Sequence, residues 1–123
     1  MKSILYLQKN LFYSLPVIAE TVNGHLILTA KDGSIVFDAP GSTISAKVSK
    51  AWGIKLATTS GQKLSLYTNT SGFSPSPSKA QLEYVRNNTI STVYSQPDLA
   101  IVDSIQLIRD WKNALQDIHA TIA

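Results

Sequence analysis

Residues 98–122, DLAIVDSIQLIRDWKNALQDIHATI, form the longest amphipathic stretch of the chain, and they follow a train of short strand-like segments. Ile101, Ile105, Ile108, Trp111, Leu115, Ile118 and Ile122 recur in steps of three and four. That spacing gathers side chains on one helical face. Asp103, Gln106, Arg109, Asp110, Asn113, Gln116 and Asp117 fall mostly on the other. Pro97 and Asp98 suit the first turn: proline lacks an N–H that would go unpaired there, and a carboxylate favours the positive end of the helix dipole. A helix with one apolar stripe is not stable alone and must cover something. The spacing predicts a helix over 98–122 laid on a sheet, with Trp111 as its anchor.

The sheet is written in the preceding residues. A strand is expected over 15–22, with Pro16 near its start where proline is tolerated. Asn23-Gly24 is a strong hairpin dipeptide, HLILTA follows at 25–30, and Asp32-Gly33 turns the chain again into SIVFD. Pro40-Gly41 ends that meander. Residues 43–49 alternate, with Ile44, Ala46 and Val48 on one side and Ser45, Lys47 and Ser49 on the other. Residues 53–59 do the same around Ile54 and Leu56, a Thr59-Ser60-Gly61 turn follows, and 63–68 places Leu64 and Leu66 inward. Residues 3–14 are ambiguous between a short helix and a strand. Lys2 ahead of Ile4–Leu7 resembles the start of a signal peptide, but Gln8, Lys9 and Asn10 interrupt the apolar run, so it is read as part of the fold. The Gly/Pro/Ser-rich segment 69–79 reads as a loop. Ser78 suits the cap of a short helix through Ala80, Leu82 and Val85, and 89–94 reads as a last strand.

Length and composition bound the rest. The chain has 123 residues, the size of one domain, so 1–123 is expected to form a single unit. It has no cysteine, which excludes disulfides and thiolate metal sites and fits a reducing compartment. No apolar run approaches the ~18 residues of a membrane-spanning helix. The net charge is only +3, and two of the eleven basic residues are arginine, which argues against a nucleic-acid binder.

The expected class is mostly β with a C-terminal helix: a sandwich or partly open barrel of about six or seven antiparallel strands. Two stretches carry a resemblance to a known family. Residues 109–115, RDWKNAL, look like the C-terminal helix of pleckstrin-homology (PH) domains, in which a tryptophan packs into the sandwich. Residues 24–29, GHLILT, followed by Ile35-Val36-Phe37 and then Pro40, are similar to GRAM-type and bacterial PH-like domains. The resemblance covers 15–68 and 98–120. It implies an interaction module that binds a protein partner or, weakly, anionic lipid headgroups, in the cytoplasm or at the membrane periphery. One departure matters: the loop at Asn23-Gly24 lacks the basic residues with which such domains hold phosphoinositides.

Catalytic chemistry finds little support. His25 and His119 stand in different elements without metal-ligand spacing, and no nucleophile motif or phosphate-cradling glycine loop is present. No cofactor is expected. Asp38, at a strand end, is the carboxylate with the least obvious role. The candidate surface is basic. Lys47, Lys55 and Lys63 stand at outward positions of three successive strands, with Lys50 beside them and Trp52 at the intervening corner. Lysines of this kind meet an anionic surface or merely keep a sheet face soluble. Trp52 either anchors a partner or covers one end of the barrel. The alternative from another class is a structural domain acting through self-association.

Overall fold

The computed structural model describes residues 1–10, 14–50, 53–68, 75–88 and 101–123. Seven antiparallel strands, β1 (Lys2–Gln8), β2 (Ser14–Val22), β3 (His25–Thr29), β4 (Ile35–Pro40), β5 (Ile44–Val48), β6 (Gly53–Thr58) and β7 (Lys63–Tyr67), precede two helices, α1 (Lys79–Asn88) and α2 (Ile101–Asp117). A two-residue strand, β8 (Thr121–Ile122), closes the sequence of elements. All eight strands belong to one open, mixed sheet in the order β4-β3-β2-β1-β7-β6-β5-β8, in which only β5–β8 is parallel. The protein is therefore mostly β with a C-terminal helix, as expected. The region 89–94, read as a last strand, and the first residues of the expected long helix lie outside the described residues.

Turn chemistry sets the meander. Asn23 and Gly24 both take positive φ, 51° and 79°, as a two-residue hairpin turn with the right twist requires. Gly33 at φ 89° closes the β3–β4 hairpin, where Ala30 N–H donates to the Ser34 carbonyl. Thr59-Ser60-Gly61 is a three-residue loop: Gly61, at φ 93°, donates to the Thr58 carbonyl, and Thr58 donates to Gln62.

Of the ambiguous stretch 3–14, residues 3–8 belong to the strand β1, for a physical reason, and 11–13 lie outside the described residues. β1 is central and covered on both faces, so its apolar residues run together instead of alternating. Leu5 and Leu7 face the main core with Val17, Ala19, Leu26, Leu28 and Phe37, against Leu107, Ile108, Trp111 and Leu115 of α2. Ile4 and Tyr6 face the other way, with Ile18, against Val85 and Leu82 of α1. Helix α1 begins on a reciprocal cap. Gln81 N–H donates to Ser78 Oγ at 3.0 Å, and Ser78 N–H donates to Gln81 Oε1 at 2.9 Å. The buried Gln81 amide also donates to the Pro16 carbonyl at 2.9 Å, tying the helix to β2.

The C-terminal helix is shorter than its periodicity predicts. It stops at Asp117, and Ile118 and Ile122 are not on it. His119 adopts φ 70°, its N–H bonds the Gln116 carbonyl, and Ala120 N–H bonds the Leu115 carbonyl. That is a Schellman cap with histidine where glycine is usual. Ile118 still reaches the core, and Ile122 pairs with Ala46 of β5.

Candidate interaction surface

Helix α2 covers the inner face of the sheet, and α1 covers the outer face of β1 and β2. Among the described residues, neither helix covers the outer face of β5, β6 and β7, and three of the lysines singled out in the sequence meet there. Lys47 lies directly opposite Lys55 across the β5–β6 pair. Lys55 opposes Ser65, and Lys63 stands two residues from Ser65 along β7, which puts it on the same face. All three lysines are exposed. Between them the floor is made of small residues, Ser45, Ala57 and Ser65, so the long side chains wall a shallow groove of about 470 Å³. Gln8, from the end of β1, and Ala123 complete its rim.

The groove runs on into a second recess of about 360 Å³ along Lys47, Ser49, Gly53, Lys55 and Tyr67. Gly53 opposes Tyr67, and the tyrosine ring lies close enough that a Cβ on Gly53 would touch it at 3.4 Å. The Tyr67 hydroxyl donates to Gln8 Oε1 at 3.3 Å. An aromatic wall thus joins the basic one.

Lys50 is placed elsewhere. It does not line the groove of the other three but a cleft on the inner side of β5, with Arg109 and Lys112 of α2. Trp52 lies outside the described residues.

Neither Tyr67 nor Gln8 stood out in the sequence. One signal was there to find: no Asp or Glu occurs between Asp38 and Glu83, while Lys47, Lys50, Lys55, Lys63 and Lys79 all do. The carboxylates are concentrated in the rest of the chain, where several are engaged. Glu20 holds Lys2 at 3.2 Å and accepts from the Tyr84 hydroxyl, and the Lys2 ammonium lies 4.0 Å from the centre of the Tyr84 ring. Burial opposes the charge on Lys2, but the hydrogen bonds and charge supplied by Tyr84 and Glu20 outweigh it and raise its pKa above 10.5. Asp38, unexplained in the sequence, accepts from or is bridged to His25 Nδ1 at 2.8 Å on the exposed face of β3 and β4. Asp32 accepts from the Ser34 hydroxyl and backbone N–H, which lower its pKa below the ordinary 3.8.

Among the described residues, no three of His, Cys, Asp or Glu come together as metal ligands do, and no helix is long and apolar enough to cross a membrane. No family model matches the chain, and no curated protein or solved structure shows significant similarity to it.

Proposed function

We propose that the protein is a non-catalytic, PH-like interaction module that binds an acidic segment of a partner protein on the outer face of β5, β6 and β7. The observation that carries this reading is the opposition of Lys47 and Lys55. Like charges directly across an antiparallel pair destabilise a sheet. Among the described residues, no Asp or Glu side chain lines the groove to relieve them. An arrangement that costs the fold stability is accounted for by an anionic ligand that removes the cost on binding.

The shape favours an extended peptide. The surface is a groove with a small-residue floor and a tyrosine at one end, so a backbone can lie between the lysine walls. The order of seven antiparallel strands followed by a helix on the inner face supports the PH-like reading. The second helix on the outer face and the parallel β8 are departures from it. Exposed lysine–carboxylate pairs contribute roughly 0.2–1 kcal/mol each, so the complex is weak and depends on salt. The absence of cysteine fits work in the reducing cytoplasm.

The test is titration of the protein with a fluorescein-labelled decaglutamate peptide at low and moderate salt. Alongside it, the protein is sedimented with phosphatidylserine-containing and neutral vesicles. The expected result is peptide binding that weakens with salt and is lost when Lys47, Lys55 and Lys63 are all changed to Gln. Vesicle binding without peptide binding would replace this reading with a membrane-surface one. A dimer in size-exclusion chromatography that buries this face would replace it with self-association.

A further inference from the structure

The recess beside the lysine groove is built around a glycine that the fold does not require. It is lined by Lys47, Val48, Ser49, Gly53, Lys55 and Tyr67. Gly53 begins β6 and lies directly opposite Tyr67 of β7. Among the described residues, the glycines with positive φ are Gly24, Gly33 and Gly61, so the backbone at Gly53 suits any residue. A Cβ there would meet the Tyr67 ring at 3.4 Å and Ser49 Oγ at 3.5 Å, ordinary contact distances that leave room for a side chain. Glycine weakens a strand, and where neither dihedral nor space demands it, it marks a place kept clear for close approach.

The wall over that glycine is fixed in place. Tyr67 is half-buried against the outer cluster of Ile4, Tyr6, Ile18 and Val85, and its hydroxyl donates to Gln8 Oε1 at 3.3 Å. The Cδ1–Cε1 edge of the ring faces Gly53. Ser49 Oγ is engaged as well, accepting from the Gly53 N–H at 2.7 Å. Lys47 and Lys55 flank the recess and belong equally to the basic groove, so the two form one continuous surface. Among the described residues, no Asp or Glu lines the recess.

We infer, resting on the acidic-peptide reading, that the recess takes one aromatic side chain of the same peptide, packed against the Tyr67 ring over Gly53. The partner is thus an acidic segment interrupted by a phenylalanine, tyrosine or tryptophan. The two lysines exclude a cationic side chain. Both hydroxyls are already hydrogen-bonded, so a polar side chain gains little. A flat ring gains twice over an aliphatic one: it packs edge or face against a ring held rigid, and it lies between two ammonium groups that favour a π-system.

The experiment is calorimetric titration of the full chain with unlabelled peptides that carry four glutamates on either side of one central residue, Phe, Leu, Ala or Lys. Amide chemical shifts are recorded in parallel. The Phe peptide is expected to bind roughly five- to tenfold more tightly than the Ala peptide, with Leu close to Ala and Lys weakest. Shifts specific to the Phe peptide are expected at Ser49, Gly53 and Tyr67. Gly53→Ala should lower the Phe-to-Ala affinity ratio and Gly53→Val, its fold checked by circular dichroism, should cancel it. Gly53→Ala should also unfold at the same temperature as the parent or higher; a marked loss of stability would show that the glycine serves the fold and would count against the assignment. Equal affinity of the Phe and Ala peptides, with both still bound, overturns the aromatic site and leaves the acidic groove standing. A Leu peptide as tight as the Phe peptide, or a ratio that survives Gly53→Val, overturns it too. Binding of none of the peptides at low salt removes the acidic groove and the aromatic site together.

Discussion

Trp111 donates its indole N–H to Ser3 Oγ across 2.7 Å, a bond between residues 108 positions apart, both buried. It fastens the C-terminal helix to the central strand and satisfies the one polar atom that so large a side chain takes into the core. Ser3→Ala leaves that N–H without a partner and should cost about 1–3 kcal/mol. Trp111→Ala should cost about 3–5 kcal/mol through lost burial and the cavity left behind. Urea denaturation of the two variants measures both. A Ser3→Ala protein as stable as the parent would show that the hydroxyl is not needed.

Gly41 approaches α2's exit more closely than any side chain permits. A Cβ there would fall 1.9 Å from the Ile118 carbonyl oxygen, which is backbone and does not swing aside. Gly41→Ala should therefore destabilise by at least about 2 kcal/mol. Gly24→Ala meets open space and faces only its φ of 79°, so about 1 kcal/mol is expected. Thermal unfolding of the pair separates close approach from backbone conformation.

The Asp32 carboxyl titrates below its ordinary 3.8 because the Ser34 hydroxyl and N–H bind its charged form. A carboxylate with a depressed folded pKa contributes its extra stability in full above the unfolded pKa. That contribution is lost as pH falls through the folded value. The β3–β4 hairpin should therefore weaken only below about pH 4. Ser34→Ala should move the Asp32 midpoint back up in a carboxyl-detected NMR titration, and an unmoved midpoint would sever the link to Ser34.

Lys47 and Lys55 make a stability–function trade measurable. Lys47→Glu converts a like-charge cross-strand pair into an attractive one and should raise stability by about 0.2–1 kcal/mol. The same change should abolish binding of the acidic peptide. A variant that is both less stable and still competent to bind would remove the basis of the proposed role.

The turns were the most legible part of the chain, because Asn23-Gly24, Gly33 and Gly61 each answer a local demand for positive φ. Ser78 was legible for the same reason, since its cap is satisfied within one helical turn. Trp111 could be read as core because its neighbours repeat at helical spacing. What depended on distant residues was harder. β1 showed no alternation because a helix covers each of its faces. The end of α2 is not legible because Ile118 and Ile122 continue the helical spacing while His119 turns the chain away. The site was half legible. Alternation placed Lys47, Lys55 and Lys63 on one face, but only topology sends Lys50 to the other side of β5 and brings Tyr67 and Gln8 to the groove.

The two halves of the sheet meet along β1 and β7, where the register runs through only Tyr6↔Tyr67 and Leu7↔Leu66. Each half is a local meander that can zip through its own hairpins, whereas this junction joins segments some sixty residues apart and carries the larger loop-closure entropy. A chain emerging from the ribosome thus completes β1–β4 early, with Leu5, Val17, Leu26 and Leu28 bare, and must wait for the last helix to cover them. The order of synthesis leaves the apolar face of the half-sheet without its covering helix until Trp111 arrives.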